Sequence, residues 1–381
     1  MIRDQATLEQ TLSTVSRLVS EHLVPNEEHV DREGVIPESL VEQLRHIGLG
    51  GLSIPEAYGG SGMTLEEKVR VAIAFGWTSP AFYRRLSSND GLGFALARAG
   101  TEAQKRAWLP RLASGECTGS FALTEPEAGS DAGSMRTLAR RDGNTYVLNG
   151  AKRFITNAPY ADVFLLIART DASERGARGL SAFLVEADTP GLTRRQADEK
   201  MGLHGNDTGD VIFEDCRIPA TNLIGEEGEG FRIAMRRLDN VRVEAAATAV
   251  GNAERLIEDA LDYASERTQF GEPIGQFQLI QAMLADSKAE SYAAHTMVLD
   301  AAQRIDKGDN ASTEAACCKL FATEMVGRVA DRAVQIHGGT GFMRGTSAER
   351  FYRDVRIYRI YDGTNQIQQL IIARNMLRDR S

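Results

Sequence analysis

Apolar residues recur at helical spacing through the first third of the chain. Leu40, Leu44 and Ile47 share one helix face before Gly48, and Lys68 to Phe75 continues an amphipathic pattern behind Thr64, a residue type that caps helix N-termini. The pattern changes near residue 119. From there to about residue 228, the runs TYVLNG, DVFLLIART, SAFLVEA and DVIFEDCRI are separated by Gly, Asp and Pro, which predicts strands joined by turns. Helical periodicity returns at Phe231. Ile280, Met283, Leu284 and Ser287 mark one face of a helix predicted from Gln278 toward Ile305. Helices, then strands, then helices predict an α+β fold of three domains: N-terminal helical (1–118), middle β (119–228) and C-terminal helical (229–381).

Composition narrows the function classes. A chain of 381 residues exceeds one typical core, in keeping with several domains. A net charge of −9 opposes a nucleic-acid partner, which needs a basic face. Cys117, Cys216, Cys317 and Cys318 show no metal-type spacing, so no metal is expected. The adjacent Cys317 and Cys318, in a helical pattern, read as two small buried residues in a reducing compartment. The first residues, MIRDQATLEQTLSTVSRLV, carry charges throughout and lack an apolar core, so no secretory signal is visible. The apolar run Val163–Ala168 is far too short to span a bilayer. The expected location is cytoplasmic, with no membrane partner.

Two segments carry candidate chemistry. Gln335 to Gln366 reads QIHGGTGFMRGTSAERFYRDVRIYRIYDGTNQ, with the glycine pair Gly338-Gly339 and an Asp-Gly ahead of a predicted helix start. Paired glycines let backbone amides approach a bound group, and a helix start after Gly363-Thr364 offers free N–H groups to an anion. Far upstream lies ALTEPEAGSDAGS, Ala122 to Ser134. Together these segments resemble the acyl-CoA dehydrogenase family, FAD enzymes that place a double bond α,β to a thioester. The resemblance runs from about residue 5 onward, through GLGGLSIPEAYGGSGM (48–63), LNGAKRFITNAP (148–159), KMGLHG (200–205), RTQFGEPIGQFQLIQ (267–281) and IQQLIIARNML (367–377).

The resemblance implies a fold, a cofactor and a site. It implies a middle β-barrel or sheet domain, a C-terminal four-helix bundle, and a homotetramer built as a dimer of dimers. FAD is implied at Phe121, Leu123, Thr124, Gly129, Ser130, Phe154, Ile155 and Thr156, with Phe154 packing on the flavin ring and Thr156 near its N5. For the rest of the cofactor it implies Arg267, Gln269, Phe270, Gln278, Gln335, Ile336, Gly338, Gly339, Thr364 and Gln366, some of them acting across a subunit boundary. Without the resemblance, Phe154 reads as a β-core aromatic, Thr124 and Ser130 as turn caps, and Arg267 as a solvated helix-end charge.

The catalytic base in most of this family is the Glu of a YEGT motif, and here the motif is Tyr361-Asp362-Gly363-Thr364. Asp362 is thus the expected base, one methylene shorter than usual, although Asp-Gly by itself is a common turn dipeptide. The family's alternative base position falls near Val241, which has no carboxylate. Asp90 is the second candidate base, its plain reading being a polar helix end. Ser130, Asp239, Arg242 and Gly363 are implied to contact the substrate, an acyl-CoA, with an electron-transfer flavoprotein as electron acceptor. Arg84, in Phe82-Tyr83-Arg84-Arg85, lies where glutaryl-CoA dehydrogenases hold a far carboxylate; adjacent arginines also read as a solvated face. Gly345 stands where relatives carry Asp, Glu or Asn, so a looser loop is expected there. Asp at the base position also admits a nitroalkane-oxidase-like enzyme or a cyclic, branched or acidic acyl-CoA substrate. The acidic charge balance opposes the family's DNA-binding relatives.

Overall fold

A computed structural model describes residues 2–174, 176–195 and 197–378. The first domain is built from α1 (Gln5–Leu18), α2 (Glu27–Glu33), α3 (Glu38–His46), α4 (Leu65–Phe75), α5 (Pro80–Ala99) and α6 (Glu102–Ser114). Thr64 caps α4 as its sequence predicts. Its hydroxyl accepts from the Glu67 N–H while the Glu67 carboxylate accepts from the Thr64 N–H.

The middle domain is one mixed sheet. It comprises β1 (Gly119–Ala122), β2 (Leu138–Asp142), β3 (Thr145–Thr156), β4 (Val163–Arg169), β5 (Leu180–Glu186), β6 (Leu192–Arg194), β7 (Thr208–Pro219) and β8 (Leu223–Ile224). The order is β6-β7-β3-β2-β4-β5-β8, with β1 lying parallel against β4. β4 is buried on both faces up to its last residue, which explains its unbroken apolar run.

The C-terminal domain opens with α7 (Gly230–Glu266), a helix of 37 residues and so about 55 Å long. A short hairpin, β9 (Thr268–Gln269) and β10 (Glu272–Pro273), leads to α8 (Gln278–Asp306), which matches its predicted span. α9 (Ser312–His337), α10 (Gly339–Phe342), α11 (Ser347–Asp354) and α12 (Asn365–Arg378) complete the chain. One apolar cluster joins α4 and the start of α5 to the α7–α9 bundle, and two others lie on the two faces of the sheet.

α7 packs closely because its middle is nearly all small residues, Ala245 to Ala253. At Gly76, which closes α4 and leads into α5, a Cβ would lie 2.6 Å from the Cα of Gly251 on α7. Backbone therefore rests on backbone at this crossing. Asn252 donates to the Gly76 carbonyl (2.6 Å) and accepts from the Tyr358 hydroxyl (2.7 Å), extending the seam.

Asp354 at the end of α11 ties all three domains. It accepts from the Leu203 N–H (2.6 Å) and the Ser79 hydroxyl (3.3 Å). Burial raises its carboxyl to about 6, although the Leu203 N–H and Arg353 favour the anion. The folded state therefore holds a proton that the unfolded chain releases near pH 3.8, and stability falls as pH rises from about 4 to 6. Above pH 6 the charged group costs about 3 kcal/mol. Asp354→Asn, neutral and of the same shape, is expected to remove that slope and raise the urea midpoint at pH 7. An unchanged midpoint and slope would refute this.

Cys117, Cys216 and Cys318 are buried, whereas Cys317 is only half-buried, so the expectation of two buried neighbours holds for one of them. All four are free thiols. Among the described residues no helix is long and apolar enough to cross a membrane, and no His, Cys, Asp and Glu grouping could hold a metal.

Candidate active site

The loop 121–130 and the end of β3 are fastened directly together. The Arg153 N–H donates to the Thr124 carbonyl (2.8 Å), and the Ser120 hydroxyl donates to the Thr156 carbonyl (2.6 Å). Beneath them Lys152, fully buried, bonds the Leu123 carbonyl (3.0 Å) and the Glu125 carboxylate (2.8 Å). Burial lowers Lys152 to about 8, with Glu125 opposing that shift. Glu125 in turn accepts from the Arg136 and Thr137 N–H groups, which fixes the turn that carries Gly129 and Ser130.

Phe154 is not the core aromatic that its strand pattern suggests. The pairing of β3 with β7 slips between Lys152 and Ile155, and Phe154 takes a left-handed φ of 58°. That bulge turns the ring outward, leaving it 60% exposed with the Arg153 guanidinium 4.5 Å from its centroid. Ile155 turns inward and is buried, so only its backbone faces outward chemistry, while Thr156, Leu123, Thr124 and Phe121 are half-buried. An exposed aromatic beside a pinned loop with hydroxyls fits one face of a planar ring system. These residues suit a flavin.

Asp362 sits in a left-handed conformation (φ 54°), followed by Gly363 at φ 86°. Asp tolerates this region better than most side chains. The loop is held from below by Lys319, which bonds the Gly363 carbonyl (2.9 Å) and Asn365 (2.8 Å). Burial brings Lys319 down to about 8. The Asp362 carboxylate opposes that shift, and Arg242 adds to it. Arg242 is itself buried and donates to Asp239 (2.6 Å), so both predicted substrate residues stand near the Gly363 corner. Thr364 accepts from the Ile367 N–H and caps α12, as the sequence suggests. Gln366 is exposed on its first turn.

Two openings flank this loop. A narrow cavity with ≈ 20 Å³ of free space, continuing into solvent, is lined by Tyr83, Arg84, Ser87, Arg237, Val241, Glu244, Thr248, Tyr358 and Tyr361. A cleft with ≈ 330 Å³ of free space runs between Ser130-Asp131 and Ile367, Leu370, Ile371 and Arg374 of α12. Tyr361 faces the first and Ile367 the second, so Asp362 stands between them. Arg84 lies over the Tyr361 ring (4.1 Å) and reaches the Asp362 carboxylate at 3.4 Å. It lies inside the site and not on a solvated face.

Asp90 is placed differently from expectation. It lies inside α5 and not at a helix end, buried, and accepts from the Ser53 N–H and hydroxyl and from Lys68 (2.6 Å). Lys68 also binds Glu244 (2.8 Å), to which the Tyr83 hydroxyl donates (3.3 Å). Both oxygens of Asp90 are engaged and the group is buried against Lys68, so it is an ion of the wall. Lys68, Glu244, Arg237 and Lys319 were not singled out from sequence. Gly91 and Gly93 inside a helical run were the one visible signal, since interior glycines often mark close approach by another group.

The remaining predicted residues gather elsewhere. Tyr263 near the end of α7 stacks on His337 at the end of α9 (4.4 Å), which brings Arg267 and Gln335 to the same end of the bundle. Arg267, Gln269, Gln278, Gln335, Gly338 and Gly339 are exposed there, and Ile336 is buried with only backbone to offer. Phe270 projects from the hairpin tip, 96% exposed. Space around Gly338 and Gly339 is open. Among the described residues no hydrogen bond, ion pair or ring contact joins this set to Phe154 and its neighbours. Gly345 lies in a left-handed turn (φ 101°) with open space around it.

Comparison with known proteins agrees with this layout. Three acyl-CoA dehydrogenase domain models match in order: N-terminal over residues 5–116, middle over 120–216 and C-terminal over 228–377. Acryloyl-CoA reductase (NADH) of Anaerotignum propionicum is 43% identical across 97% of this chain and 94% of its own. Butyryl-CoA dehydrogenase of Megasphaera elsdenii superposes with a TM-score of 0.95 at 36% identity, covering 99% of this chain and all of that one. A chain from the structural study of the electron transferring flavoprotein of Acidaminococcus fermentans superposes equally well, at 37% identity, with 99% and 100% covered. The chain belongs to the acyl-CoA dehydrogenase family and is an oxidoreductase of that type, with FAD as its cofactor.

Proposed function

We propose that this enzyme removes two hydrogens from Cα and Cβ of a short acyl-CoA thioester, with Asp362 as the base, and passes the electrons to an electron-transfer flavoprotein. The observation that carries this reading is the position of Asp362 between two openings, one small and lined by Arg84 and Tyr361, the other wide and leading outward. The first suits an acyl chain and the second the CoA moiety. FAD, when bound beside Phe154, supplies the acceptor for the hydride that leaves Cβ. Asp362 takes the α-proton, and the electron pair left behind becomes the second Cα–Cβ bond. Lys319 holds the Gly363 carbonyl and so keeps the Asp362 side chain at a fixed height over the substrate. Phe154 and the pinned loop exclude water from the reacting face. Ser130 lines the cleft assigned to CoA, and the Arg242–Asp239 pair is assigned to substrate contact from the neighbouring corner. The acryloyl- and butyryl-CoA chemistry of the relatives supports a short acyl chain.

The electron-transfer flavoprotein as partner draws support from the A. fermentans neighbour. The assembly is a homotetramer, as is typical of the family. Phe270, Leu279, Phe342 and Met343 of the C-terminal domain are exposed in the single chain and suit burial between subunits. We assign the Arg267 and Gln335 set to the far end of the FAD of a neighbouring subunit, consistent with its separation from Phe154. The free cysteines suit a cytoplasmic setting.

Anaerobic titration of the holoenzyme with saturated acyl-CoA thioesters is the test. Short thioesters are expected to bleach the flavin absorbance and yield the 2-enoyl product. Bleaching by nitroalkanes alone, with oxygen as reoxidant, would replace this reading with an oxidase.

A further inference from the structure

Lys152 holds the loop 121–130 from below with all three of its N–H bonds. They run to the Leu123 carbonyl (3.0 Å), the Glu125 carboxylate (2.8 Å) and the Met135 sulfur (3.6 Å). The side chain is fully buried, and a buried ion pair is by itself a weak structural tie, because desolvation offsets most of the attraction. Its charge is also only partly answered. Glu125 shares its carboxylate with the Arg136 and Thr137 N–H groups (2.6 and 2.9 Å). In a trans peptide the N–H points opposite to the C=O, so a Leu123 carbonyl aimed down at Lys152 sends the Thr124 N–H up and away from the core. The next carbonyl, that of Thr124, is taken by the Arg153 N–H (2.8 Å), which fixes this orientation. Among the described residues no acceptor meets the Thr124 N–H. Thr124 is half-buried, and an N–H shielded from water ordinarily has a partner. The orphaned donor points to a ligand atom that accepts.

We propose that Lys152 is a positioning residue that raises the reduction potential of the flavin. Its positive charge acts through the Leu123–Thr124 peptide and strengthens the Thr124 N–H as a donor to the negative charge that the ring gains on reduction. This rests on the reading of the loop 121–130 and Phe154 as the flavin site. A peptide whose carbonyl accepts a charge-assisted bond is polarised, and its N–H becomes the better donor. The oxidised ring carries no net charge, so it gains less from that donor than the reduced ring does. A site that holds the reduced form more tightly favours reduction by the same factor. Burial keeps the effect large, because no water lies around the ammonium to screen it.

The test is the reduction potential of FAD in the holoenzyme, measured against indicator dyes at pH 6 with no thioester present. Lys152, at about 8, is charged at that pH. Lys152→Met combined with Glu125→Gln removes both charges together and leaves no unpaired ion. The preference for reduced over oxidised FAD is expected to drop at least about tenfold, which for two electrons lowers the potential by about 30 mV. Glu125→Gln alone leaves the ammonium uncompensated and should move the potential the opposite way. That variant decides the matter if the double variant loses its FAD. A loop tie with no electrical role would change the FAD content and leave the potential of the bound fraction where it was, which would overturn the proposal. A shift of both variants in the same direction would overturn it too. Phe154→Ala tests the placement separately. An unchanged flavin spectrum in that variant would overturn the site itself, whereas a changed spectrum with unmoved potentials would overturn only the part given to Lys152.

Discussion

Asp362→Asn is expected to lower the rate of flavin bleaching by about 10²–10⁴-fold, the range a positioned general base contributes. The amide keeps the shape and the left-handed turn, which Asn adopts as readily as Asp. It cannot accept the α-proton, so the loss should fall in the chemical step and not in binding. FAD content and the dissociation constant for acyl-CoA should stay within a few fold of wild type. Stopped-flow bleaching with saturating thioester reads the step directly. A variant that bleaches at a near-normal rate would remove Asp362 from the mechanism. Asp90 offers no replacement, because Ser53 and Lys68 already occupy its oxygens.

Lys68→Met carries the largest expected loss of stability. Lys68 is the one cation between two carboxylates, Asp90 at 2.6 Å and Glu244 at 2.8 Å, in a buried cluster. Opposite charges on both sides hold the ammonium well above its ordinary range despite its burial, which disfavours charge. Methionine fills the same volume but leaves two like charges facing each other. Removing one partner from a buried ion cluster typically costs about 3–5 kcal/mol, a large share of a domain's stability. The urea midpoint should fall accordingly. Asp90→Asn should cost less, because Lys68 keeps Glu244 and the amide oxygen can still accept from Ser53. A loss below about 1 kcal/mol in Lys68→Met would show that water reaches the cluster.

Local signals were legible in the sequence, and long-range ones were not. The Thr64 cap, the span of α8 and the helix after Thr364 follow from caps and periodicity that act within a few residues. The loop 121–130 and Tyr361-Asp362-Gly363-Thr364 were legible through their resemblance to a known family. Phe154 misleads in isolation because its bulge arises from the slipped pairing of β3 with β7, which no run of β3 residues encodes. Asp90 misleads for a similar reason: Lys68 and Ser53, which neutralise it, come from other segments. Arg237 looks like surface charge in a local window, and only the gap left by Gly91 on a separate helix reveals its burial.

The backbone contact between Gly76 and Gly251 gives the pocket a fixed gauge. The corner leading into α5 cannot slide along α7 by even a methyl's width, and Asn252 extends that constraint to Tyr358 on the cavity wall. Arg84 of α5 and Arg237 of α7 line that cavity, so the spacing of its walls is set by the same crossing. Little ordering remains to be done on binding, and the entropic cost of recognition is correspondingly small. The wall is thus a rigid frame, held by backbone contact on one side and a buried amide on the other.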